Sequence, residues 1–226
     1  LVWWVAVPAM TTAACWLVLD AIRRSGGPDY LAFLLVGLTL WQWMKSCITH
    51  GGYAIWGNLG LIRQARLPVL VFPLSQMLAD TIKFLCIFVL LLVILWCAGY
   101  PPSITYLALP LLFLVTLLFS AGAGFLVAAF VPFIPDLRFI IEQILTVVMF
   151  LSGVVFALDA VPSPLREVIA LNPVATLLDG VRAILLHAQW PDWWALLKVG
   201  VISALVCATG IGCVLRFSPR YPKLAV

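Results

Sequence analysis

Charge is what this sequence has least of. Asp, Glu, Lys and Arg make up 10% of its 226 residues, against about 25% in an ordinary soluble domain. So few charges cannot clothe a water-facing surface, which excludes a soluble globular protein and makes lipid the natural solvent. The net charge of +4 is spread thinly between apolar runs with no basic stripe, which excludes a nucleic-acid binder. There is no glycine-rich loop of the form GxxxxGK[ST], so the chain carries no phosphate-cradling turn of its own. The two histidines, His50 and His187, lie far apart without metal-ligand company, and no Ser–His–Asp arrangement can be assembled from them. No catalytic, cofactor-binding or metal site is read in this chain. The six cysteines, Cys15, Cys47, Cys86, Cys97, Cys207 and Cys213, form no CxxC pair and read as small apolar residues.

What the sequence has is long apolar runs. Hydrophobic residues make up 65% of it, and the mean hydropathy is +1.16. A spanning helix needs about 20 mostly apolar residues. Six segments qualify: 2–19, 30–46, 80–97, 107–131, 140–156 and 193–217. The runs are continuous rather than alternating, which argues against barrel strands. The expected fold class is therefore an all-α membrane protein with six transmembrane helices in one domain over residues 1–226. The first run lacks a basic leader and a small-residue cleavage site, so it reads as a span rather than a signal peptide.

The connections orient these spans. Lys45, Arg63, Arg66, Lys83, Arg138, Arg216, Arg220 and Lys223 fall on one side, and Arg23, Arg24, Arg166, Arg182 and Lys198 on the other. The larger set marks the cytoplasmic side, which places both termini in the cytoplasm. Asp80, Lys83 and Glu142 fall near the cytoplasmic ends and Lys198 near the outer end. The span centres are thus nearly free of charge, which argues against an ion-coupled carrier. Asp80 and Lys83 stand three apart, so that either Lys83 snorkels to the interface, the favoured reading, or the two pair. Trp3, Trp4, Trp41, Trp43, Trp190, Trp193 and Trp194 are read near span ends, either as an interfacial belt or as stacking surfaces on a path.

Residues 157–192 are too long for a turn and too apolar for a solvated loop. Ser163-Pro164 starts one short helix, 164–171, and Asn172-Pro173 starts a second, to about His187. Val174, Leu177, Leu178, Val181 and Leu185 recur at helical spacing and form an apolar face, with Asp179 and Arg182 on a more polar side. Neither helix can span, so two short re-entrant helices are expected on the outer side between spans five and six.

Three stretches give the chain a family resemblance. The first is Asn58-Leu59, Leu61-Ile62-Arg63, Arg66-Leu67-Pro68 and Phe72-Pro73-Leu74. The second is Phe150-Leu151-Ser152-Gly153-Val154-Val155-Phe156. The third is Leu171-Asn172-Pro173, then Arg182, then Trp190-Pro191-Asp192-Trp193. In this order they resemble the membrane subunits of type-2 ABC exporters, in the branch that exports O-antigen, capsular polysaccharide or teichoic acid. Two departures stand out. Leu1 already lies inside an apolar run, so the family's amphipathic interfacial helix would precede residue 1. Where the family commonly reads Arg-Asp before span five, this chain reads Pro135-Asp136, with Arg138 following.

The resemblance implies a homodimer in the bacterial inner membrane with two ATP-binding cassette subunits on its cytoplasmic face. ATP and Mg would be held in those partner subunits, and a lipid-linked glycan would pass between the two copies. It further implies ATPase-coupling roles for Asn58, Leu61, Ile62, Arg63, Arg66, Asp136 and Arg138. Asn172, Arg182, Trp190 and Trp193 would border the substrate path, with Arg182 either meeting an anionic group of the substrate or forming a structural ion pair with Asp179, and membrane lipids would surround the whole. The alternatives are a type-2 exporter of a drug or lipid, and a membrane-embedded enzyme acting on glycans or lipids. The enzyme would want an acid or base cluster at one interface, and none stands out.

Overall fold

The computed structural model describes residues 29–64, 67–156 and 172–224, all helix, turn or irregular backbone. The expected first span, the expected helix 164–171, Trp3, Trp4 and Arg66 lie outside them. The chain runs through α1 (Asp29–Gly57), α2 (Leu59–Gln64), α3 (Val71–Cys97), a 3₁₀ lead-in (Ile104–Ala108), α4 (Leu109–Phe130), α5 (Leu137–Leu151), α6 (Pro173–His187), α7 (Trp193–Phe217) and a 3₁₀ turn (Ser218–Lys223). Among the described residues four helices are long and apolar enough to cross a membrane: α1, α3, α4 with its lead-in, and α7 with its trailing turn.

The long helices pack side by side. α1 lies between α3 and α4, and α4 lies between α1 and α7. Such contact between lipid-embedded helices depends on close packing, because lipid tails are as apolar as the side chains they would replace. Gly122-Ala123-Gly124 on α4 supplies it on two sides. A Cβ at Gly122 would sit 2.6 Å from the Cys207 nitrogen of α7, and one at Gly124 would sit 2.5 Å from Met77 of α3.

Three boundaries differ from the hydropathy reading. α1 continues past Ser46 to Gly57, burying Cys47, Ile48, Ala54 and Ile55. The polar stretch Thr49-His50-Gly51-Gly52 resembles a connection, but its glycines lie against Met77 and Val127 and make room for neighbouring helices. α3 starts at Val71, ahead of the charged pair that delayed the expected start. α5 starts at Leu137 and stops at Leu151, although the apolar run continues to Phe156. The stop is a backbone event: Gly153 takes φ +67°, a left-handed conformation that ends helices and that glycine adopts without strain. At fifteen residues α5 is roughly 22 Å long. By contrast, α7 has the expected bounds, and α6 begins where Asn172-Pro173 starts it.

α5 is the least embedded helix. It packs lightly, chiefly on α1, and Leu145 is its one buried residue. At the far end of the bundle, Tyr100 after α3 donates to Asp29 at the start of α1, 2.5 Å away. Burial, and then this bond, push the Tyr100 phenol up to about 12. The tie therefore holds in full below the ordinary phenol value and is lost as pH rises through about 12.

Candidate functional site

Two groups of side chains form at opposite ends of the bundle. At the end where α1 finishes, read as cytoplasmic from the Lys/Arg bias, Asn58 joins α1 to α2. Its amide donates to Ala54 O at 2.7 Å, and its own carbonyl accepts from Ile62 N at 3.0 Å. α2 is too short to persist by propensity alone, so its position depends on contacts. Ile62 is buried and faces the bundle, while Leu61 and Arg63 are exposed.

The 132–138 connection reaches the same end. Asp136 is exposed and precedes α5. Arg138 lays its guanidinium over the Trp56 ring, 3.7 Å from its centroid, and donates through Nε to Pro135 O at 3.0 Å. Its carbonyl accepts from the Tyr53 hydroxyl, also 3.0 Å away. The last turns of α1 therefore tie the Asn58–Arg63 stretch to the Asp136–Arg138 stretch. Trp56 and Tyr53, which the sequence reading missed, are the two links. A ring two residues before Asn58 and a cation eighty positions away carry no joint signal until the chain folds.

At the opposite end of the bundle the four expected residues divide into two pairs. Asn172 caps α6, accepting from Val174 N at 3.0 Å, and donates to the Ser152 hydroxyl at 2.8 Å. Arg182 was read as lying on a polar side of α6, and the structure corrects this: it is 3% exposed. Its guanidinium donates to Gly153 O at 2.9 Å, Val154 O at 2.8 Å and Phe33 O at 3.3 Å. It stacks on Phe33, 3.4 Å from the ring centroid, and stands 3.8 Å from Asp179. Gly37 makes room for it, since a Cβ there would collide with Nη2. Arg182 and Asn172 thus both hold the backbone that ends α5. Trp190 and Trp193 are exposed instead, their rings 6.0 Å apart, while Asp192 caps α7 through the Trp194 and Ala195 nitrogens.

Between the two ends, Asp80 and Lys83 pair at 2.9 Å, the arrangement the sequence favoured less than snorkelling of Lys83. His50, read as isolated, is not: its Nδ1 lies 2.7 Å from the second Asp80 oxygen. A buried carboxylate needs partners for both oxygens, and Lys83 supplies only one. That unmet need was the available signal for a second partner. Trp41 and Trp43 are also corrected, being buried midway along α1 rather than set at a span end. Among the described residues no group of His, Cys, Asp or Glu could hold a metal ion.

A family model described as "ABC-2 type transporter" matches residues 7–186. The chain is 25% identical to an O-antigen export system permease protein, RfbA, of Klebsiella pneumoniae, over 82% of this chain and 72% of that protein. It is 26% identical to an RfbA of Myxococcus xanthus, over 84% and 74%. It is 24% identical to the polysialic acid transport protein KpsM of Escherichia coli, over 67% and 60%.

Proposed function

This chain belongs to the ABC-2 type transporter family, and from that premise we propose that it is the membrane subunit of an ATP-driven exporter of polysaccharide. The relatives named for O-antigen and polysialic acid export support this reading. The observation that carries it structurally is the inner-end convergence, where Trp56 and Tyr53 join the two stretches that the resemblance assigns to ATPase coupling. The subunit is a multi-pass membrane protein. In this reading it is a homodimer of six-span chains in the bacterial inner membrane, both termini cytoplasmic, with α6 as an outer re-entrant helix. Two ATP-binding cassette subunits dock on Asn58, Leu61, Ile62, Arg63, Arg66, Asp136 and Arg138, and ATP and Mg stay in those partners.

The transport step follows from how α5 is held. Its inner end is tied through Arg138 to Trp56 and Tyr53. Its outer end is tied through Ser152, Gly153 and Val154 to Asn172 and Arg182. With little packing along its flank, α5 can shift as one rod and carry a displacement between the ends. Trp190 and Trp193 offer flat apolar faces on which the sugar rings of a lipid-linked glycan can stack at the exit, while Asn172 and Arg182 hold the backbone beside it.

Arg63→Glu with Arg66→Glu reverses two charges on the docking face. We expect the double variant to fold and reach the membrane, yet to lose most ATP-dependent export, with the ATPase subunit either released or hydrolysing without transport. Wild-type export in that variant would reject the docking assignment. Topology is tested separately in a chain whose native cysteines are replaced. Pro101→Cys should react with an impermeant maleimide added outside intact cells, and Lys223→Cys only after the inner face is opened. Outside labelling at position 223 would invert the orientation.

A further inference from the structure

The six-residue α2 is supported by a part of the chain that the docking assignment does not include. The 3₁₀ turn Ser218–Lys223 folds back from α7 and packs against α2. Its anchor is Tyr221, fully buried, whose hydroxyl donates to Ala129 O near the inner end of α4, 3.3 Å away. Phe133 packs on Tyr221 with ring centroids 5.7 Å apart, and Phe217 meets both Phe130 and Phe133. The turn is thus a fixed prop wedged between α4 and α2.

The face this prop presents is basic. Arg216, Arg220 and Lys223 are exposed along it, and Arg63 is exposed on the adjoining α2. Neither residues 59–64 nor residues 214–224 contain an acidic residue. Held on fixed backbone, like charges repel one another, and an anionic partner offsets that repulsion. Leu61, 52% exposed on the same short α2, adds an exposed apolar side chain to the element this turn packs against. Exposed apolar and charged groups on adjoining, fixed elements suit a protein partner; a lipid headgroup layer would call for the charges alone.

We infer that the turn Ser218–Lys223 is a second half of the docking surface, with Arg220 and Lys223 extending the Arg63 face toward an acidic patch on the ATP-binding subunit. This inference rests on the proposed function. Tyr221 acts only as a positioning residue, holding the turn beneath α2.

The experiment measures binding of the separately purified ATP-binding subunit to the full-length chain in nanodiscs, across a salt series. Arg220→Gln with Lys223→Gln should weaken binding about tenfold at low salt and flatten its salt dependence. Arg220→Glu with Lys223→Glu should weaken it further, with folded yield unchanged for both. Unchanged affinity and salt slope in both double variants would overturn the inference and leave the docking role of Arg63 standing. Equal protein binding, with reduced partitioning of the variants into phosphatidylglycerol-containing vesicles, would overturn it in favour of lipid headgroups. No binding even by the wild-type chain would overturn the inference together with the function on which it rests.

Discussion

Gly122→Val should remove folded protein from the membrane, and Gly122→Ala should leave it folded but destabilised by about 1–3 kcal/mol, the usual cost of overpacking a well-packed contact. The neighbours explain why. A Cβ on Gly122 would meet the backbone of Val206 and Cys207 at 2.6–2.8 Å. Backbone cannot rotate aside as the tip of a side chain can. Gly210 closes the same crossing from α7, where a Cβ would sit 2.7 Å from the Gly122 carbonyl oxygen. Gly210→Ala should therefore behave like Gly122→Ala. The double variant should cost less than the two single costs combined, because both substitutions spread one contact. Gly212, two residues further along α7, has nothing within 4 Å of a Cβ. Gly212→Ala should be neutral or slightly stabilising, by up to about 1 kcal/mol of helix propensity. Thermal unfolding of the purified variants, followed by loss of monodisperse protein, makes the comparison. Equal stability of Gly122→Ala and Gly212→Ala would show that the α4–α7 crossing is not held by glycine.

Arg182→Gln should cost on the order of 3–5 kcal/mol, as when one partner of a buried charged contact is removed. The guanidinium serves three backbone carbonyls of two separate segments, and it is buried where water cannot replace it. Each carbonyl left without a donor contributes about 1–3 kcal/mol of loss. Arg182→Lys should recover only part, since an ammonium is a single point of charge and not a planar fork. Gly37→Ala should produce the same defect from the opposite side by pressing on Nη2, and should add little on top of Arg182→Gln. Folded yield and export, measured on the same membranes, separate two roles. A loss of yield with export per folded molecule preserved marks a positioning residue. Full yield and stability with export abolished would return Arg182 to direct contact with substrate and sink the structural assignment.

The elements that were legible in the sequence had both an apolar run and a local stop or start. α7 has its expected bounds because an apolar run follows Asp192, which caps it. α6 is legible because Asn172 caps and Pro173 fills the first turn, ahead of Val174, Leu177, Leu178, Val181 and Leu185, all of them buried. α5 was misjudged at its end because hydropathy registers transfer into lipid and not backbone conformation. Val154-Val155-Phe156 are as apolar as a helix would require, yet Gly153 has already turned the chain. The docking candidates were legible as two separate stretches. Their meeting was not, because Trp56 and Arg138 are joined only by folding.

By itself the sequence determined that this chain lives in lipid and that it is helical. Both follow from composition and from long apolar runs, which are properties of the chain before it folds. The expectation that charge avoids the span centres does not hold for α3, whose start at Val71 sets Lys83 at the middle of the helix. Only the tertiary structure decided which polar groups are displayed and which are enclosed. Arg182 and Trp43 looked like polar-side and interface residues, and His50 looked isolated. Folding placed Arg182 over three carbonyls, His50 on a buried carboxylate, and Trp43 beside Thr81 and Phe84. The physical reason is that the cost of burying a polar group depends on its partners, and in this chain those partners lie tens to well over a hundred residues away in sequence.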